Sequence, residues 1–153
     1  GIADSKDEAQ VSLRNVADKP GVAAAVFGPL ADAGINVDMI VQNTSADGST
    51  TDITFTVPNA DHDRARAVLD AAMAKIGATN VQSSGDVVKV SVIGIGMRSH
   101  AGVAAQCFQA LASKGINIRA ITTSEIKISV LIDAAYAELA VRTLHSVYGL
   151  DKH

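Results

Sequence analysis

The 153-residue chain carries one segment twice, and the repeat limits its fold more than any other feature. Residues 21–41 read GVAAAVFGPLADAGINVDMIV and residues 102–122 read GVAAQCFQALASKGINIRAIT. At a shift of 81, 11 of the 21 positions are identical. Such self-similarity means two versions of one supersecondary unit. Upstream, Val11-Ser12-Leu13 matches Val90-Ser91-Val92 at a shift of 79, so the second copy carries two more residues before its helix. Downstream, Asp52-Ile53-Thr54-Phe55 parallels Glu125-Ile126-Lys127-Ile128 at a shift of 73, which makes the second hairpin loop shorter by 81 − 73 = 8 residues.

Hydrophobic period assigns the elements of each copy. Residues 10–16 and 87–95 are rich in Val and Ile and read as strands. Residues 22–33 place Val22, Val26, Phe27, Leu30 and Ala33 at helical spacing, with Gly34 where a helix C-terminus favours glycine. Val103, Cys107, Phe108, Leu111 and Gly115 repeat the pattern. Strands follow at 35–43 and 50–57, joined through an Asp47-Gly48 turn. A second helix at 61–76 carries Ala65, Val68, Leu69, Ala72, Met73 and Ile76 on one face, and 134–148 does the same with Leu139, Ala140, Leu144, Val147 and Tyr148. Asp61 and Asp133 stand where helix caps belong. A strand at 79–84 closes the first unit. The order βαββαβ predicts an α+β fold of two tandem ferredoxin-like modules, each an antiparallel sheet with helices on one face. The expected boundaries are 11–84 and 85–150. The second module has no closing strand after Tyr148, and the N-terminal residues are expected to reach across to its open edge, with 4–10 as a charged connector.

Composition removes several classes of function. Thirteen Lys+Arg against sixteen Asp+Glu leave a net charge of −3, and five aromatics without Trp supply neither the basic footprint nor the stacking surface for nucleic acid. No apolar run approaches the roughly 20 residues of a membrane-spanning helix, and Cys107 alone forms no internal disulfide, which points to a cytoplasmic setting. Gly94-Ile95-Gly96 lacks the third glycine of a dinucleotide fingerprint, since position 99 is Ser. His62, His100, His145 and His153 have no metal-ligand spacing among themselves or with Cys107. No cofactor, no metal and no catalytic constellation is expected.

The remaining signal is a binding site. The loops Asn15–Gly21 and Gly96–Gly102 lead from a strand into a helix N-terminus, where amide groups and the helix dipole favour a carboxylate. Beyond each helix lie Asn36, Asp38 and Gln42 in the first copy, and Asn117, Thr123, Ser124 and Glu125 in the second. Donors for a carboxylate beside acceptors for an ammonium are what a free amino acid requires. Asp18 as a plain cap and Pro20-Gly21 as ordinary turn chemistry explain the first loop equally well.

DKPGVAA at 18–24, GINVDMIVQN at 34–43, TTDITFTV at 50–57, GIGMRSHAGVAA at 94–105 and TSEIKISVLI at 123–132 resemble the tandem ACT domains of aspartokinase, and more narrowly its regulatory β subunit. The resemblance implies a non-catalytic, allosteric part of aspartate kinase that is paired with a catalytic subunit. It implies a homodimer formed through the ACT modules and feedback inhibition by threonine, alone or with lysine. Effectors in that family sit between modules. The positions carried over are Asp18, Gly21, Ala23, Asn36, Val37, Asp38 and Gln42, with Met97, Ser99, Asn117, Ile118, Thr123, Ser124 and Glu125 from the second copy. Asp18 or Asp38 would take the ammonium, backbone near Gly21 or Asn117-Ile118 the carboxylate, and Gln42 a side-chain hydroxyl. The copies diverge at Asp38 against Arg119, so two equivalent sites do not follow. Two rivals remain: an acylphosphatase-like hydrolase using Arg98 and Asn117, and a dimerisation module without a ligand.

Overall fold

The computed structural model describes residues 1–77, 80–94, 100–124 and 126–149. The elements are β1 (Ile2–Ala17), α1 (Val22–Asp32), β2 (Asp38–Thr44), β3 (Thr50–Pro58), α2 (His62–Ile76), β4 (Asn80–Ile93), α3 (His100–Ser113), β5 (Ala120–Thr123), β6 (Lys127–Asp133) and α4 (Ala137–Val147). Short 3-10 turns at Asn59–Asp61 and Ala134–Tyr136 lead into α2 and α4.

The chain forms two compact units, one of residues Asp7–Gly85 and one that joins Gly1–Lys6 to Asp86–His153. In the first, the strand order is β2-β3-β1-β4; in the second it is β1-β4-β6-β5. The N-terminal stretch is thus the edge strand of the unit that contains the second repeat. Ile93 N–H donates to the Gly1 carbonyl at 2.8 Å, and the Gly1 ammonium donates back to the Ile93 carbonyl. Ile2 packs on that unit's core. Residues 4–10, expected as a connector, are strand instead. The closing strand at 79–84 and the strand at 87–95 are likewise one element, β4. Charged side chains do not prevent a strand when they stand on exposed positions, as Asp4 and Asp7 do. Asp7 (φ 64) and Asp86 (φ 57) take left-handed backbone in β1 and β4 at the boundary between units. Asp tolerates that conformation better than branched residues do.

Each unit buries the faces that the helical and strand periods marked. Val26, Leu30, Phe55, Leu69 and Leu13 are fully buried in one core. Cys107, Leu111, Val90, Ala140 and Leu144 fill the other. Each such large aliphatic side chain contributes about 1.5–3 kcal/mol by leaving water. Phe27 meets Phe55 edge to face at 5.2 Å, a geometry that favours ring pairs.

The two hairpins are related differently from the shift of 73 expected. Leu13 stands opposite Ile53 and Val92 opposite Ile128. The equivalent strand residues therefore differ by 75, and the second loop is shorter by 81 − 75 = 6 residues. A slip of two keeps every side chain on the same face of the sheet, so alternation alone cannot detect it. The same equivalence aligns two hydroxyl pairs: Ser12 with Thr54 at 2.9 Å and Ser91 with Ser129 at 2.8 Å. Among the described residues no helix is long and apolar enough to cross a membrane.

Candidate functional site

The first loop leaves β1 through a bulge. Register shifts between Leu13 and Val16, and Asn15 takes φ 55. The Asp52 carboxylate holds this bulge, accepting from Asn15 N–H at 2.9 Å and from Arg14 at 3.2 Å. Those contacts, the Asn15 amide first, keep Asp52 below the ordinary carboxylate range. The only sign of this support in the sequence is an acid facing a bulge-prone Asn.

Asp18 N–H then donates to the Ser49 carbonyl at 3.1 Å, fastening the loop to the hairpin between β2 and β3. Asp18, Lys19, Pro20 and Gly21 are exposed. The N-cap of α1 is Gly21 at φ 87, with no side-chain cap bond, so Asp18 is not the cap. A Cβ at Gly21 would meet nothing within 4 Å; its backbone, not space, calls for glycine. Val22 N–H donates to the Lys19 carbonyl at 3.2 Å, and with no side-chain cap the next amides of α1 are the ones an anion could meet. Ala23 is exposed in the first turn. Asp61 is the N-cap residue of α2 and Asp133 that of the 3-10 turn before α4, where caps were expected, but neither makes a side-chain cap bond; Asp61 accepts from Arg64 at 3.0 Å and Asp133 from Arg119 at 2.7 Å. A guanidinium outcompetes a neutral amide for a carboxylate.

The other first-copy candidates divide between the two ends of β2. Asn36 and Asp38 are exposed and Val37 packs on the core, at the end where α1 finishes. Gln42 lies towards the hairpin that holds Asp18. From Asp38 to Thr44 the strand covers roughly 20 Å at the usual rise per residue. Even alternation would place Asp38 and Gln42 on one face. It does not survive, because Met39 takes φ 48 and the register shifts between Asp38 and Val41. Asp38 stands opposite Thr56, whereas Gln42 stands opposite the core residue Ile53. The two side chains consequently share no face of the sheet. The Asp38 carboxylate accepts the Met39 amide at 2.8 Å, bracing the bulge.

In the second copy Asn117 is exposed, Ile118 packs on the core, and Thr123 and Ser124 are exposed at the end of β5. Ser124 N–H donates to the Lys127 carbonyl at 2.8 Å. Arg119, the counterpart of Asp38, pairs with Asp133. Met97, Ser99, Glu125 and Arg98 lie outside the described residues. β5 runs without a bulge from Ala120 opposite Leu131 to Thr123 opposite Ile128. The two candidate sites are thus built differently at the same repeat position.

One further pair of residues stands out on the edge strands. Ile40 on β2 and Ile121 on β5, related by the shift of 81, are 51% and 43% exposed on the outermost strand of each unit. An apolar residue kept at one position in both repeats was the signal. Among the described residues no group of three or more His, Cys, Asp or Glu could hold a metal ion. Cys107 is buried, and burial pushes its thiol up to about 11.

Comparison with known proteins places this arrangement. Residues 10–77 and residues 90–148 each match the family described as the ACT domain. Aspartate kinase of Pseudomonas fluorescens (strain SBW25) is 52% identical over 151 residues, which is 99% of this chain and 36% of that protein. The chain therefore spans about a third of the length of such relatives. A crystal structure of aspartokinase alpha and beta subunits contains a chain that is 50% identical, with a TM-score of 0.90 and 97% of both chains covered. The ligand-free regulatory subunit of aspartate kinase from Thermus thermophilus is 43% identical with a TM-score of 0.87, covering 96% of each.

Proposed function

Because this chain belongs to the ACT-domain family, among the regulatory regions of the aspartokinases, we propose that it is the non-catalytic effector-binding part of an aspartate kinase, taking threonine, alone or with lysine, as feedback inhibitor and acting on a separate catalytic subunit or domain. The observation that carries the reading is the split of the first-copy candidates. The anion cradle at Gly21 and Ala23, with Gln42 near it, lies at one end of β2. Asn36 and Asp38 lie at the other, far beyond the reach of one small amino acid.

A second copy of the chain, laid antiparallel along the exposed edge strand, would bring those ends together. Ile40 and Ile121 would give that edge its apolar contact, and the unpaired backbone of β2 and β5 would supply hydrogen bonds. In this arrangement the amides near Gly21 take the effector's carboxylate, an Asp or Asn from the partner's strand takes the ammonium, and Gln42 reaches a side-chain hydroxyl. The residues proposed for the second copy are Met97, Ser99, Asn117, Ile118, Thr123, Ser124 and Glu125.

Inhibition then follows from linkage. An effector shifts a quaternary equilibrium only by binding one arrangement better than the other, and a coupling of about 1–3 kcal/mol is typical. Calorimetry and analytical ultracentrifugation on the chain are expected to show threonine binding together with a tighter dimer. Gln42→Ala should weaken both. Threonine without heat and without effect on sedimentation would refute the proposal.

A further inference from the structure

In each repeat one exposed candidate, Asn36 or Asn117, stands in the corner between a helix and the edge strand, flanked by two apolar residues that turn inward. Ile35 and Ile116 are buried, and Val37 and Ile118 pack on their cores. On the helix side both corners are held by the same bond. Ile35 N–H donates to the Leu30 carbonyl and Ile116 N–H to the Leu111 carbonyl, each at 3.0 Å. On the strand side the two copies part.

In the first copy the strand opens with Asp38, opposite Thr56. Thr56 is 1% exposed, and its hydroxyl donates to the Asp38 carbonyl at 3.1 Å. The shift of 75 that relates the second hairpins puts Leu131 in the place of Thr56, and leucine has no hydroxyl to give. There Arg119, the counterpart of Asp38, makes the attachment itself. Its N–H donates to the Leu131 carbonyl at 2.8 Å, and its Nε donates to the Asp133 carboxylate at 2.7 Å. Asp133 stands where the first copy has Pro58, which offers no side-chain acceptor. The loss of one anchor and the gain of the other therefore occur together, each within a single unit. The second copy also depends more on its anchor. Its edge strand β5 has four residues against seven in β2, so the ladder alone gives less hold on the residues before it.

We propose that Arg119 and Asp133 are positioning residues for the second-copy effector segment, and that the hold they exert on Asn117 and Ile118 weakens with ionic strength. The proposal rests on the effector-binding reading above. Neither side chain touches the effector; the ion pair fixes the start of β5, two residues beyond Asn117. The Arg119 and Asp133 side chains are 35% and 46% exposed, and salt screens charges that stand in water. The first-copy anchor is a bond from a buried neutral hydroxyl, which salt does not screen. The two repeats thus fix the same corner with bonds that answer differently to the medium.

Titration of the whole chain with L-threonine, alone and with L-lysine, followed at the side-chain amide resonances of Asn36 and Asn117, reads the two corners separately. At about 0.1 M salt Arg119→Met should weaken the titration at Asn117 about two- to fivefold, the scale of one exposed ion pair, and leave Asn36 unaltered. At about 1 M salt, where the screening length falls to about 3 Å, that difference between variant and unsubstituted chain should vanish. Thr56→Val should weaken the titration at Asn36 alone, by a factor that salt does not change. The exchanged pair Arg119→Asp/Asp133→Arg should recover the affinity that Arg119→Met loses, which a general loss of stability would not allow. An Asn117 titration unaltered in Arg119→Met, a loss equal at both salt concentrations, or no recovery in the exchanged pair would overturn this proposal and leave the effector-binding reading standing. No titration at either residue in the unsubstituted chain would overturn both.

Discussion

The hydroxyl pair Ser91–Ser129 is a place where the cost of a single methyl-sized change can be worked out before it is made. The oxygens are 2.8 Å apart, and the residues are only 5% and 1% exposed. Replacing Ser91 with Ala removes one hydrogen bond and strands the Ser129 hydroxyl where water cannot reach it. The expected loss is about 1–3 kcal/mol, most of it the desolvation of the orphaned group. Ser129→Ala should lose a similar amount. The double variant Ser91→Ala/Ser129→Ala leaves no orphan, and removing both partners can be nearly neutral. The two single losses should therefore not add, and a coupling of roughly 2 kcal/mol is expected in the cycle. The first unit provides the contrast. Ser12 is buried, but its partner Thr54 is only half-buried, so in Ser12→Ala the stranded hydroxyl can turn to water. That variant should lose no more than about 1 kcal/mol. Urea unfolding of the four variants beside the unsubstituted chain measures all of these. Additive losses at 91 and 129, or equal losses at 12 and 91, would refute the reasoning.

Two further outcomes follow from titratable groups. Asp47 accepts from Ser49 N–H and from the hydroxyls of Ser49 and Ser45, which brings its carboxyl from the ordinary 3.8 down to about 2. A depressed folded value means that these bonds are complete above about pH 4 and fail as the pH falls through 2. The Ser49 amide resonance should titrate near 2, and a midpoint near 4 would contradict the hairpin described. Cys107 is fully buried, with burial raising its thiol to about 11. Its folded state disfavours the thiolate, so stability is constant below the ordinary thiol value of 9.0 and declines as the pH rises from there towards 11. At pH 8 a thiol reagent should modify the native protein far more slowly than the urea-unfolded chain, and equal rates would place Cys107 at the surface.

Much of the fold was legible because helical and strand periods report which side of an element leaves water. Val26, Leu30, Leu69, Leu111 and Leu144 stood at the right spacing and are all fully buried. Thr143 was not anticipated there, since a hydroxyl marks no face; it is buried because its Oγ1 donates to the Leu139 carbonyl at 2.7 Å. The candidate site was legible only in part. Loop chemistry identified Gly21, and the structure gives it φ 87. Within one chain Asp38 and Gln42 share no face of β2 because of a single left-handed residue, Met39, which no rule of alternation flags.

What the amino-acid order determined alone was the duplication, the type of each element and the side of it that seeks the core, because these depend on residues close together in the chain. Three things were decided only by tertiary structure: the continuation of the N-terminal strand through residues 4–10, the two-residue offset of the second hairpin, and the bulge that turns Asp38 away from Gln42. Each depends on which strand lies beside which. A strand presents the same apolar face to any partner of matching alternation, and only the assembled sheet selects one partner and one register.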